Sequence, residues 1–150
     1  VARPLELGAV LGGADDALVA DLRAIGLDLG LAFQLRDDLL GVYGDPNVTG
    51  KPSGDDLITG KRTVLIAEGL GRADAGDAGR LRALLGTDLS AADLRAARAI
   101  LTGSGAQHAV EARIDGALES ALSGISALPT SDDARGGLEA LAHRIAHRAA

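Results

Sequence analysis

The chain has 150 residues, a formal net charge of −6, 47 % hydrophobic and 24 % charged residues, a balance that suits one globular domain with its own core. The acidic charge makes nucleic acid a poor partner, because phosphate backbones call for clustered positive charge. With no Cys there is no disulfide framework or thiolate metal site, so chemistry must come from carboxylates, amines, hydroxyls or the three His. No apolar run reaches membrane-spanning length and no signal segment opens the chain, so no membrane span and a soluble, cytoplasmic protein are expected. Met is absent altogether. Val1 is therefore not expected to be the translation start, and the chain is expected to be a piece of a longer protein or a processed product.

Period-3.6 spacing of Ala and Leu runs nearly throughout and predicts an all-α chain. "RPLELGAVLGG" reads as a helix end stopped by Gly12 and Gly13. Asp15 and Asp16 then cap and charge the start of a long helix reaching about Tyr43. Its apolar stripe is expected to run through Leu18, Leu22, Ile25, Leu29, Phe33, Leu40 and Tyr43, with Phe33 in the core or on a cavity wall, the core being the better fit for a lone aromatic in a helical stripe. Gly44, Pro46, Gly50, Pro52 and Gly54 mark residues 44 to 57 as a loop. A short helix is predicted over "KRTVLIAEGL", then helices over "DAGRLRALLG", "SAADLRAARAILTG", "GAQHAVEARIDGALESALSGISAL" and "SDDARGGLEALAHRIAHRA". Ser90 and Ser131 are the best N-cap candidates among them.

Residues 30 to 63 concentrate the chemical variety of the chain. They hold its one Phe, its one Tyr, both Lys, two Asp-Asp pairs and two of four Pro. On the long helix Gln34, Asp37 and Asp38 project from neighbouring places on consecutive turns. Adjacent Asp residues in mid-helix are disfavoured by propensity and by charge repulsion. A divalent cation relieves the repulsion, and Mg²⁺ suits it, since it takes one or two carboxylates with phosphate oxygens and waters. The plain alternative is a solvated acidic face with Arg36 as partial compensation. The two Lys of a chain that otherwise uses thirteen Arg, Lys51 and Lys61, both follow in the loop. An ammonium is a compact charge able to reach a phosphate oxygen. Together these residues describe a site for Mg²⁺ bridged to diphosphate.

Two rival loops are testable by spacing. A Walker-type phosphate loop fails, because Gly54 to Gly60 encloses five residues rather than four and Arg62 takes the hydroxyl position. A single EF-hand-like calcium loop is approximated by Asp45, Asn47, Thr49, Gly50 and Asp56, but Asp replaces the longer Glu at its last position. A plain helical interaction domain, with both Asp pairs turned to water, is the third reading.

"FQLRDDLLGVYGDPNVTGKPSGDDLITGKRT" resembles the second aspartate-rich region of the trans-isoprenyl diphosphate synthases, matching from Phe33 to Thr63 at many fixed spacings. The resemblance implies the C-terminal part of an isoprenoid-synthase-type helical bundle, one portion of a single domain. It implies a Mg²⁺-dependent transferase that condenses an allylic diphosphate with isopentenyl diphosphate, commonly as a homodimer. By position, Asp37 and Asp38 become ligands for Mg²⁺ on the allylic diphosphate and Gln34 lies near the reacting carbons. Lys51 contacts the allylic diphosphate directly, while Asp56 and Lys61 complete the loop side. Arg144 and Arg148 are counterparts of basic residues closing over isopentenyl diphosphate. Gly41 departs from the pattern, which usually has a further acid there. The first aspartate-rich motif of the family is absent, so the chain resembles the C-terminal half only and is expected to be inactive alone. His143 and His147, spaced i, i+4, read better as a cationic helix end than as metal ligands, because Arg144 and Arg148 sit beside them.

Overall fold

The structure, a computed structural model, describes residues 1–46, 50, 52 and 54–147. Among the described residues it has eight helices and no strand. They are α1 Ala2–Leu11, α2 Asp16–Tyr43, α3 Asp55–Ile58, α4 Val64–Arg72, α5 Ala75–Leu84, α6 Ala91–Gly103, α7 Ala106–Ala127 and α8 Asp132–Ala146.

The helix starts follow from local chemistry. Asp15 accepts the Leu18 amide at 2.9 Å and opens α2. Ser90 and Asp93 form a reciprocal capping box on α6, and the Ser131 hydroxyl accepts from Ala134 at the head of α8. Thr63 and Asp74 cap α4 and α5 in the same way. The Thr63 cap explains why the helix expected from Lys61 begins only at Val64: a capping residue keeps extended dihedrals, leaving Lys61 and Arg62 outside. Within the stretch expected to be all loop, Asp55–Ile58 forms a single helical turn, entered through Gly54 at φ 76.

The chain divides into two compact units, Val1–Gln34 with the chain from Arg113 onward, and Leu35–Ala112. In the first, Ile25, Leu29 and Ala32 of α2 are buried, as are Ile114, Ala121 and Ile125 of α7 and Ala142 of α8. A Cβ at Gly124 would stand 2.9 Å from Ile25 Cγ1, so glycine there sets how closely α7 approaches α2. In the second unit Leu35, Leu39 and Val42 of α2 are buried with Leu57, Leu65, Leu81, Leu101 and Val110. Helices α4, α5 and α6 pack on one another there.

The expected stripe of α2 holds at Ile25 and Leu29 and then leaves the core. Phe33 is 37 % exposed, and the buried line continues through Ala32, Leu35, Leu39 and Val42. Steps of three and four must alternate to track one face at 3.6 residues per turn. The repeated four-residue step to Phe33 therefore carries it off the buried face. With Phe33 outside, the core is almost entirely aliphatic.

Candidate functional site

The last three turns of α2 and the segment from α3 to the head of α4 form one polar cluster in the second unit. Asp38 is only 3 % exposed and Asp56 6 %, although both are carboxylates. Burying ions requires partners, and both find the same one. Lys61 Nζ stands 3.1 Å from Asp56 Oδ2 and 3.4 Å from Asp38 Oδ1. The Val64 amide, in the first turn of α4, donates to the other Asp38 oxygen at 3.4 Å. Asp38 thus also lies against the positive end of α4, where unpaired amides favour an anion.

Gly41 is what admits Asp56 to this cluster. A Cβ at position 41 would collide with the Asp56 carboxyl carbon and Oδ2 and lie 2.8 Å from Oδ1. The carboxylate therefore rests where the side chain of residue 41 would begin. Leu57, fully buried, anchors α3 from below. Its carbonyl accepts the Gly86 amide at 2.9 Å, tying the segment to the end of α5.

Protonation follows the same crowding. Burial first, then the nearby charges of Asp38 and Asp37, pushes the Asp56 carboxyl above its ordinary value of 3.8, against the opposing pull of Lys61. Burial acts to lower Lys61, but its hydrogen bond to Asp56 and the charges of Asp56 and Asp38 outweigh it and hold the ammonium above 10.5. Two buried carboxylates face one ammonium, and the half-buried Asp37 adds its charge beside Asp56. The cluster keeps an excess of negative oxygen donors, the kind that Mg²⁺ prefers.

A second polar group lies at the C-terminal end of α2. Arg98 of α6 donates to the Val42 carbonyl from Nε at 2.8 Å and from Nη2 at 2.5 Å, satisfying an acceptor that helix geometry leaves unpaired. The Tyr43 hydroxyl meets Thr102 Oγ1 at 3.2 Å, and burial raises its pKa above 10.0.

Of the residues singled out from sequence, the structure brings Asp38, Asp56 and Lys61 together, with Asp37 beside Asp38 on α2. Gln34 and Arg144 are exposed and belong to the other unit. Lys51 and Arg148 lie outside the described residues, as do Asn47 and Thr49 of the calcium reading. Asp56 turns to Lys61 and Asp38, while Asp45 is exposed. Among the described residues no group of three or more His, Asp or Glu is set to hold a metal unaided. The burial of Asp38 and Asp56 removes the reading in which both acidic pairs face water. Sequence reasoning missed Thr63, Gly41 as a contact and Arg98. Thr63 carried a usable signal, a hydroxyl directly before the apolar run "VLIA". Arg98 carried none among thirteen Arg.

A sequence model of the family described as polyprenyl synthetase matches residues 1–101. The chain belongs to this family. Among its polyprenyl synthetase relatives, the geranylfarnesyl diphosphate synthase of Aeropyrum pernix is 38 % identical over 126 residues, covering 84 % of this chain and 39 % of that protein. A geranylgeranyl diphosphate synthase of Mycobacterium tuberculosis is 41 % identical over 126 residues, covering 82 % of this chain and 35 % of its own length. The crystal structure of geranylgeranyl pyrophosphate synthase from Corynebacterium glutamicum, complexed with isoprenyl diphosphate and magnesium, superposes with a TM-score of 0.94 at 44 % identity. That match covers 99 % of this chain and 42 % of the other. The fold is therefore that of the all-α prenyl synthases, and this chain spans about two-fifths of the length of the proteins it matches.

Proposed function

We propose that these residues form the C-terminal portion of a single polyprenyl synthetase domain. The complete protein makes (E)-polyprenyl diphosphates by joining an allylic diphosphate to isopentenyl diphosphate. The observation that carries this reading is the buried Asp38–Lys61–Asp56 cluster at the end of α2, with Asp37 beside it. Its oxygen donors and single ammonium suit a diphosphate with its counter-ions. The relatives' names supply the reaction class, and the magnesium and isoprenyl diphosphate of the Corynebacterium glutamicum complex are consistent with the ligands proposed.

In this account Asp37 and Asp38 would hold Mg²⁺ from the α2 wall, and Mg²⁺ there would supply Lewis-acid neutralisation of the leaving diphosphate. Lys61, part-exposed and held protonated by its two carboxylates, turns its ammonium to a diphosphate oxygen as negative charge develops there. Asp56 keeps Lys61 at the site when no ligand is bound. Lys51 is assigned the direct contact to the allylic diphosphate, Gln34 a place near the reacting carbons, and Arg144 and Arg148 the isopentenyl diphosphate side. These assignments rest on the motif match.

The other portion of the domain supplies the remaining ligands and covers apolar surface. Leu7, Val10 and Leu11 on α1 and Leu27 and Leu31 on α2 are at least half exposed, up to 79 % for Leu11. An apolar groove of about 620 Å³ opens between α1, the start of α2 and α8, lined by Leu5, Leu18, Leu22 and Leu138 among others. Such apolar exposure marks surfaces made for contact. A homodimer and a cytoplasmic location belong to the same proposal.

The test is condensation of labelled isopentenyl diphosphate with an allylic diphosphate. The full-length protein should turn over in the presence of Mg²⁺ and lose activity on Asp38→Asn, and this chain alone should not. Turnover by the isolated chain, or full activity of the Asp38→Asn protein, would overturn the proposal.

A further inference from the structure

Lys61 holds two buried carboxylates at once, and it holds them unequally. Its ammonium is 3.1 Å from Asp56 Oδ2 and 3.4 Å from Asp38 Oδ1, whereas a fully made N⁺–H···O⁻ bond is about 2.7–2.9 Å. The grip on Asp38 is therefore the looser one. The three side chains also differ in what fixes them. Asp38 sits on α2 and Asp56 on α3, with 5 % and 9 % of their side chains exposed, while the Lys61 side chain is 42 % exposed and leaves the backbone between α3 and α4. Lys61 is thus the outer, movable member of a cluster that lies wholly within the second compact unit.

We propose that Lys61 is an intramolecular counter-ion: its ammonium occupies Asp38 in the empty site, keeps a lone divalent ion off it, and moves away when a diphosphate arrives. The proposal rests on the diphosphate reading above and adds an order of events to it. An ammonium against Asp38 Oδ1 repels a second cation from that oxygen. Being tethered, it is not lost to solvent as a displaced water is. A diphosphate removes the obstacle, because its compact negative oxygens give the ammonium another partner. Asp56, seated in the space that Gly41 leaves open, retains Lys61 by the shorter contact while Asp38 is released. Binding of ion and diphosphate is thereby coupled, and linkage requires each to raise the affinity for the other by the same factor.

Mn²⁺ titrated into the chain, with the free ion counted by electron paramagnetic resonance, tests this without any turnover. Lys61→Met should bind Mn²⁺ alone about 5-fold tighter or more, the lower end of what coupled sites show. With inorganic pyrophosphate present, the same variant should bind Mn²⁺ more weakly than the unsubstituted chain. Arg62→Met removes the same charge one residue away and should leave the affinity for Mn²⁺ alone nearly unchanged, because an exposed charge is screened. Lys61→Met/Asp56→Asn keeps the net charge and leaves no unpaired carboxylate at position 56. It should fold even where Lys61→Met does not, as far-UV circular dichroism would show, and should give the same tightening. Affinity for Mn²⁺ alone that is unchanged in both Lys61 variants, or raised as much by Arg62→Met, would overturn the counter-ion and leave the diphosphate reading standing. No uptake of Mn²⁺ by the unsubstituted chain, with or without pyrophosphate, would overturn both.

Discussion

Replacing Gly41 with Ala isolates the contact on which the cluster is built. An added Cβ would overlap the Asp56 carboxyl group, which must swing away from Lys61 or force α3 off α2. Gly to Ala within a helix is favourable by about 1 kcal/mol when space is free. Against that stand overpacking, about 1–3 kcal/mol, and a weakened charged hydrogen bond of about 1.5–3 kcal/mol, of which the part-exposed Lys61 retains only a fraction. The net expectation is a loss of about 1–3 kcal/mol, which for this chain length lowers the melting midpoint by about 2–4 °C per kcal/mol. Gly30, on the same helix, has nothing within 4 Å of its notional Cβ, so Gly30→Ala should be neutral or stabilising. Urea denaturation of both variants gives the comparison. In an Asp56→Gly background the penalty of Gly41→Ala should vanish, because the colliding carboxylate is gone. If Gly41→Ala proves as stable as Gly30→Ala, or if its penalty survives removal of Asp56, the contact is not what fixes position 41.

The Asp56 carboxyl is raised above 3.8, so between that value and its folded value the native state holds more protons than the unfolded chain. Its stabilising share is full below 3.8 and is lost as pH rises through the raised value. Asp56→Asn, which cannot ionise, should therefore lose less stability than the unsubstituted chain as pH rises in this window, read as the difference between denaturation midpoints. Arg98→Ala leaves the Val42 carbonyl without its two donors. It should cost about 1.5–3 kcal/mol and speed hydrogen exchange in the last turn of α2, with Arg98→Lys recovering part of both.

Much of this was legible in the residues. The all-α class and the span of α2 were, because capping residues and helical periodicity are local. The Ser90 and Ser131 caps emerged for the same reason. Phe33 and the head of α4 were misplaced where a choice between adjacent residues decided the outcome: a four-residue step instead of three, and a Thr that caps instead of a Lys that leads. Within the candidate site, the motif spacing picked out Asp38, Asp56 and Lys61. Their sharing of one ammonium is a long-range fact that no local pattern encodes. Gly41 looked like a missing acid, yet its vacancy is filled in space by the carboxylate of Asp56, fifteen positions on.

The central claim is that the end of α2 and the head of α4 enclose a diphosphate with its divalent ions. Mn²⁺, as a paramagnetic substitute for Mg²⁺, tests it directly when added with inorganic pyrophosphate to the isotopically labelled chain. The account predicts that amide signals of Asp37, Asp38, Asp56, Lys61 and Val64 broaden first, and that Asp38→Asn abolishes the effect. Broadening centred elsewhere, with these five signals unchanged, would contradict it.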